Sequence, residues 1–297
     1  MTSAIAILTY RRLPVLAKMF EGLLAHCKDY PIAVFEDFGR TDGTARWLAG
    51  DAKPESREDL LATYCRMPWG EAFLGTENLG VASNSNRALR WFEEGGWDHL
   101  CLCNDDLEVL GDFPAFYAKA HQELGINFFC FNDFWEWPTH RWALCRSRGY
   151  RLRIFRQMTG IMCSVTRKAF NEVGYFDARF GKFGQEHCDW TNRFRFTGNI
   201  RLDGVDQPCV DVEPTNPDGS AGQAVLKHQE CPTCVIGDER ARADQEALEA
   251  LREVAKGYNT ESNYKPFALR SPRFVGGFLN QGIPTEQLKG YRTVTCS

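Results

Sequence analysis

The chain has 297 residues, with 35 Lys plus Arg against 39 Asp plus Glu, a net charge of −4. That balance excludes a protein that grips polyanions with its whole surface, and 43% hydrophobic with 25% charged residues excludes disorder along the whole length. Twelve cysteines in a chain this long fall short of a disulfide scaffold.

In chain order, Ile5 to Tyr10 (IAILTY) is a short apolar run ending in polar residues, the pattern of a buried parallel strand. Leu13 to Cys27 repeats apolar residues at helical spacing through Leu16, Phe20, Leu23 and Leu24. Ile32 to Glu36 reads as the next strand, and the turn chemistry of GRTDGT precedes a second helix near Thr44. Ser56 to Tyr64 is weakly helical and Ala72 to Leu74 a short strand. Ser83 to Glu94 is a helix stopped by Gly95-Gly96, His99 to Cys103 a strand, 113–124 a helix, and Ile126 to Phe131 a strand. Phe128 to Trp142 is crowded with aromatics. Arg151 to Val165 reads as one long strand, Lys168 to Val173 as a short helix and His187 to Thr197 as another. From Gly237 an Ala/Glu/Arg helix runs to about Gly257, and the remainder is polar and rich in Gly and Pro.

Strands alternating with helices imply an α/β fold with a mostly parallel sheet. Ligands bind beyond the carboxyl ends of such strands. Three strands end in polar groups, Thr9-Tyr10-Arg11, Glu36-Asp37 and Asn104-Asp105-Asp106, and these are expected to converge at one sheet edge. No apolar run approaches the roughly 18 residues of a membrane-spanning helix, and the N-terminus lacks the basic-then-apolar pattern of a signal peptide. A cytoplasmic protein is expected, with Cys101, Cys103, Cys130 and Cys163 as small core residues.

Four motifs, in order over roughly residues 4–198, resemble the family-2 glycosyltransferases. They are IAILTY with VFEDFGRTDGT; ENLGVASNSNRAL; LCNDDLEV; and TGIMCSVTRKAFNEVGYFDARFGKFGQEHCDWTNRFRFTG. The resemblance implies the GT-A fold, Rossmann-like, with a mostly parallel sheet flanked by helices. It implies a domain over 1–236, with a nucleotide-binding half to about 110, an acceptor-binding half over 111–236, and a helical or irregular extension over 237–297. The activity implied is inverting, metal-dependent transfer of a sugar from a UDP-sugar or other nucleotide sugar to an acceptor hydroxyl, such as that of a glycan.

By the same resemblance, Asp37 matches the acidic residue that contacts the uracil, although an Asx-type turn is its simpler use. Thr9, Tyr10 and Arg11 flank the nucleotide, and Asn78, Gly80 and Asn86 close its pocket. LCNDDLEV is the Asn-x-Asp variant of the Asp-x-Asp metal motif. Asp106 is then the first metal contact for Mn2+ or Mg2+, oxygen-seeking cations, with Asn104 and Asp105 in support. His228 is a candidate further metal ligand. Where the family often reads Glu-Asp-x-Asp, this chain reads Glu186-His187-Cys188-Asp189. The base is Glu186, His187 or Asp189, with Glu186 placed first because carboxylates serve this role in most relatives. Glu186 and Asp189 also have helical spacing for salt bridges to Arg193 or Arg195.

Other features admit two uses each. His228, Cys231 and Cys234, with Cys209 as a fourth, have spacing compatible with structural zinc. The aromatic block either lines the acceptor site or packs in the core. Arg141, Arg146, Arg148, Arg151, Arg153 and Arg156 form either a local basic stripe for an anionic ligand or a face paired with surplus carboxylates. A basic stripe would suit a phage-type enzyme that glycosylates hydroxylated DNA bases. Two further alternatives are a non-catalytic nucleotide-sugar or glycan-binding module and a nucleotidyltransferase.

Overall fold

The first apolar run forms β1 (Ser3–Thr9), and all seven of its residues are buried. Burial on both faces is what a continuous apolar run, rather than an alternation, encodes. The computed structural model describes residues 1–37, 42–48, 70–75, 78–132, 141–155, 160–177, 186–200, 209–229 and 292–295. After β1 comes α1 (Leu13–His26), with Pro14 in its first turn, where the missing N–H breaks no helix bond. The remaining elements are β2 (Ile32–Glu36), α2 (Thr44–Leu48), β3 (Gly70–Leu74), α3 (Val81–Gly95), β4 (His99–Asn104), β5 (Leu107–Val109), α4 (Phe113–Leu124), β6 (Phe128–Phe131), β7 (Arg141–Ser147), β8 (Tyr150–Phe155), β9 (Met162–Thr166), α5 (Arg167–Val173), α6 (Glu186–Phe196), β10 (Cys209–Glu213), β11 (Leu226–His228) and β12 (Arg292–Thr295).

Seven strands form one sheet in the order β12-β3-β2-β1-β4-β9-β6. The run β3-β2-β1-β4 is parallel throughout. β9 runs antiparallel to both β4 and β6, and β12 antiparallel to β3, so only β9 and β12 oppose the rest. Helices pack on this sheet through apolar stripes: α1 buries Leu16, Met19, Phe20 and Leu23. Phe128 stacks on Phe194 of α6, and Phe20 meets Trp47 of α2 edge-on. A second sheet, β10-β8-β7, is antiparallel, and β11 pairs with β5.

Most expected elements are present, with boundaries shifted by a few residues. One is corrected. Arg151 to Val165 is not a single strand, because β8 and β9 belong to different sheets, and Gly160 between them adopts a left-handed φ of 72°. Apolar content alone cannot reveal such a change of sheet. Cys101, Cys103, Cys130 and Cys163 are buried free thiols, as expected. The described part of the aromatic block, Phe128, Phe129 and Phe131, is core; residues 133–140, the helix expected near Ser56 and the helix expected from Gly237 lie outside the described residues. No helix among the described residues is long and apolar enough to cross a membrane.

Candidate functional site

The chain steps from β1 to β2 on one side and returns to β4 on the other. The crevice beyond the carboxyl ends of β1 and β4 is therefore the switch point at which an open α/β sheet binds ligands. A cleft of about 230 Å³ lies there. The exit of β1 contributes Thr9, Tyr10 and Arg12, that of β2 contributes Asp37, and that of β4 contributes Asn104; Asn78, Gly80, Val81 and Asn84 close the far wall. The three polar strand ends thus converge. The Asp37 amide donates to the Thr9 carbonyl (3.0 Å), and the Thr9 hydroxyl donates to Asp105 Oδ2 (2.6 Å).

The far wall is the N-terminus of α3. Gly80 has φ 84°, a conformation that favours glycine, and lets the backbone approach a ligand without a Cβ. Asp37 fixes this corner: its carboxylate accepts from the amides of Leu79 (2.9 Å) and Gly80 (2.8 Å). The bland alternative, a carboxylate that ties down a turn, is therefore at least part of its role. Asn78 Oδ1 also accepts from the Gly80 amide (3.1 Å). A 15-residue helix with its amino end in a cleft offers N–H groups and a positive dipole end to an anion.

Asn86 does not line the cleft. Its side-chain amide clamps the backbone of Phe176, donating to the carbonyl (3.0 Å) and accepting from the amide (2.8 Å). The cleft-facing amide of α3 is Asn84, which donates to the Phe35 carbonyl (2.9 Å) and accepts from buried Arg87 (2.8 Å). Arg11 likewise gives way to Arg12. Arg11 has φ 54° and stacks on Tyr10, whereas Arg12 lines the cleft.

Arg12 forks across the two acidic residues after β4. Its Nη2 lies 2.7 Å from Asp105 Oδ1, and its Nη1 donates to Asp106 Oδ2 (2.9 Å). Asp105 is fully buried; burial pushes its carboxyl up to about 7, against the downward pull of the Arg12 charge. Burial opposes ionisation of Asp106 too, yet facing His228 and Arg12 outweigh it and hold that carboxyl below its usual value. His228 is brought there by strand register: β11 pairs with β5 so that His228 stands opposite Leu107, and its Nε2 lies 3.6 Å from Asp106 Oδ2. Gln229 completes the clamp, its backbone amide donating to the Asp106 carbonyl (2.7 Å) and its side chain to the Leu107 carbonyl (2.7 Å). No group of three or more His, Cys, Asp or Glu among the described residues forms a metal cage. Asp106 and His228 supply two potential ligands, one oxygen and one nitrogen.

The third candidate cluster opens α6. Glu186 Oε1 lies 2.7 Å from His187 Nδ1, and His187 packs edge-on against Phe176. Gly160 lies against the His187 ring, and neighbouring Ile161 accepts from the Asn104 amide (2.9 Å), which ties this pair to the end of β4. Asp189 is paired with Arg193 (3.0 Å) within the helix, the salt-bridge use its spacing allowed.

The described members of the arginine cluster are also paired. Arg153 forms ion pairs with Asp211 and Glu213, Arg151 lies 3.4 Å from Glu213, and Arg148 donates to the Glu123 carbonyl. The basic-stripe expectation is corrected for Arg151 and Arg153: β10 places a carboxylate row beside β8. Cys209 is buried with its sulfur 2.8 Å from Arg195 Nη2; Cys231 and Cys234 lie outside the described residues. The clearest omissions of the sequence reading are Arg12, Asn84 and Gln229. A signal existed for Arg12, which stands where a strand exit meets Leu-Pro, a helix start.

A mostly parallel sheet flanked by helices, with its cleft at this switch point, is the GT-A fold. The chain is similar to S. aureus TarS residues 1–349 in complex with UDP-GlcNAc, with TM-score 0.51 and 13% identity, covering 95% of this chain and 72% of that one. It is similar to the longer S. aureus TarS with TM-score 0.51 and 12% identity, covering 87% of this chain and 45% of that one. It is also similar to GalNAc-T7 crystallised with UDP, GalNAc and Mn2+, with TM-score 0.49 and 12% identity, covering 71% of this chain and 43% of that one. The chain thus spans less than half the length of the two larger proteins. No family profile and no curated protein matches the sequence.

Proposed function

We propose that the chain is an inverting glycosyltransferase that moves a sugar from a UDP-sugar to an acceptor hydroxyl, with residues 1–110 holding the nucleotide and 111–236 the acceptor. The observation that carries this reading is the conjunction, at the GT-A switch point, of a polar cleft walled by the α3 N-terminus and, on the turn that follows cleft-lining Asn104, the Asp106–His228 pair. The TarS neighbour that shares this fold was crystallised with UDP-GlcNAc, which supports a UDP-sugar as donor.

Asp106 and His228 fit a divalent cation such as Mn2+ or Mg2+. Their facing oxygen and nitrogen, 3.6 Å apart, are close enough to share one ion, and such ions complete their shell with substrate phosphates and water. When bound, the ion neutralises the charge developing on the departing diphosphate. The α3 N-terminus adds the positive end of its dipole to the wall of the cleft beside Gly80 and Val81. The Thr9 hydroxyl holds Asp105 in place, so the turn carrying Asp106 stays ordered as charge develops. Glu186 and His187, joined at Oε1 and Nδ1 over 2.7 Å, supply the base that takes the acceptor's proton, with Glu186 placed first.

The test is release of UDP from a panel of UDP-sugars, each with a set of hydroxyl acceptors, with and without Mn2+. Metal-dependent release is expected, falling at least about 100-fold in Asp106→Ala. Full activity in that variant would remove Asp106 from the reaction. Pyrophosphate instead of UDP as product would identify a nucleotidyltransferase.

A further inference from the structure

We infer that Arg12 is a resident counter-cation that occupies the acidic pair of the ligand-free site, yields Asp106 to the divalent ion, and transfers its charge to the donor diphosphate. The inference rests on the reading of the cleft as a nucleotide-sugar site and assigns within it a residue with a role of its own.

Four observations carry it. First, the fork of Arg12 bridges neighbouring carboxylates, with contacts of 2.7 Å to Asp105 and 2.9 Å to Asp106, so Asp106 already has a cationic partner that a divalent ion would compete with. Second, the two carboxylates are not equivalent. Asp105 has no exposed side-chain surface and is held by Thr9 as well, whereas Asp106 retains some exposure and faces His228. Asp105 is the fixed anchor and Asp106 the exchangeable arm. Third, the oxygen of Asp106 that receives Arg12, Oδ2, is the one that faces His228. A cation taken up by Asp106 on the side that faces His228 would meet the guanidinium at the same carboxylate, and two cations at one carboxylate repel. Fourth, the backbone of Arg12 is held independently of its side chain. Its backbone is the N-cap of α1, and its carbonyl accepts from the amides of Val15 and Leu16. Its side chain is 22% exposed and already lines the cleft in which the diphosphate would lie. A planar fork that matches a carboxylate pair also matches a diphosphate.

The consequence is coupled binding. Without nucleotide, the divalent ion competes with Arg12 for Asp106 and binds weakly. With UDP present, the guanidinium has a new anionic partner and Asp106 is released, so each ligand strengthens binding of the other. Removing the guanidinium then moves the two affinities in opposite directions. A residue that merely supported the fold would lower both or neither.

The experiment measures Mn2+ binding by electron paramagnetic resonance and UDP binding by calorimetry, in wild type, Arg12→Met and Arg12→Lys. Wild type is expected to bind Mn2+ at least about tenfold more tightly with UDP than without. Arg12→Met is expected to bind Mn2+ alone about tenfold to a hundredfold more tightly than wild type, the effect of removing a competing charge-assisted contact, and to bind UDP more weakly by a similar factor. Arg12→Lys, which keeps the charge and loses the fork, falls between them. Unchanged or weaker Mn2+ binding in folded Arg12→Met overturns the inference. If that variant does not fold, equal Mn2+ affinity in wild type with and without UDP overturns it instead. Failure of wild type to bind UDP even with Mn2+ would refute the nucleotide-sugar reading itself, a different result from UDP binding that ignores Arg12.

Discussion

The core holds two histidines remote from the cleft, and their hydrogen bonds admit a single arrangement of protons. His121 Nδ1 lies 2.6 Å from the Ile126 carbonyl, which can only accept, so Nδ1 carries the proton. Its Nε2 is then an acceptor in the neutral ring, and the Ser164 hydroxyl donates to it (2.8 Å). Ser164 Oγ in turn accepts from His99 Nε2–H (2.7 Å), and His99 Nδ1 accepts from the Ser3 hydroxyl (2.9 Å). Both rings are fully buried, and burial drives both away from the charged form: His121 down to about 4 and His99 well below its ordinary value. Mutual repulsion and the N-terminal amino group add to the effect at His99. An unfolded histidine takes up its proton near pH 6.5. The stabilising effect is therefore complete above that pH and is lost as pH falls toward 4. For His121 alone the drop from about 6.5 to about 4 corresponds to roughly 3 kcal/mol. Urea denaturation is expected to show stability nearly flat between pH 7.5 and about 6.5 and then falling by up to about 1.4 kcal/mol per pH unit for each histidine down to pH 4.5. His121→Asn retains a donor for the Ile126 carbonyl but cannot titrate, so it lowers stability overall and flattens the slope by one proton. Comparing variant with parent cancels the opposite trend from Asp105, whose raised value favours folding as pH falls. Equal slopes, or a nitrogen NMR signature of the Nε2–H tautomer at His121, would refute the proton assignment.

Two further perturbations separate stability from chemistry. In Gly160→Ala the new Cβ would lie 2.9 Å from His187 Nδ1, against the bond to Glu186, at a φ of 72°. Transfer activity is expected to fall about 100-fold in a folded protein. Gly125→Ala has a similar φ of 71° with nothing within 4 Å, so it is expected to lose stability alone, as read by thermal melting and UDP release. In the second sheet, Asp211→Asn removes the charge from a buried carboxylate that serves Arg153, the Tyr117 hydroxyl (2.8 Å) and the Asn132 amide (3.2 Å). About 3–5 kcal/mol should be lost in chemical denaturation. The double variant Arg153→Met/Asp211→Leu should lose less, because no buried charge is left behind; a double variant no more stable than the single one would contradict that reasoning.

The fold was legible because its central strands are continuous apolar runs that end abruptly in polar groups. IAILTY, IAVFE and HLCLCN carry both the sheet and the rim of the cleft. What escaped depends on register and partners. Asn84 and Asn86 are two positions apart, about 200° around a helix, so only one can face the cleft, and packing against Phe176 makes it Asn84. Of the Arg11-Arg12 pair, the left-handed backbone at Arg11 and the start of α1 select Arg12. Arg151 and Arg153 do share a strand face, as their spacing requires. The carboxylates that pair with them come from CVDVE, more than fifty residues onward, which no local pattern announces.

The same dependence explains how a fully buried Asp105 is tolerated beside a working carboxylate. A buried charge without a partner is among the costliest features in a fold. Here the turn after β4 is held from two sides by segments far apart in sequence. Thr9 and Arg12, at the β1–α1 junction, bind Asp105; His228 and Gln229, at the end of β11, bind Asp106 and the backbone that follows it. Gln229 also reaches the Val15 carbonyl (3.2 Å), so the two supports are themselves joined. Loss of the Thr9 contact or of the β11 residues leaves a carboxylate buried or misdirected, and the site is therefore only as ordered as the β11–β5 pairing that brings His228 to it. The net charge of −4 averages over this arrangement. At the acidic turn the excess of carboxylate is local and, among the described residues, Arg12 bridges both carboxylates; exchange of that arginine for a cation of higher charge would turn a structural ion pair into a site poised for a diphosphate.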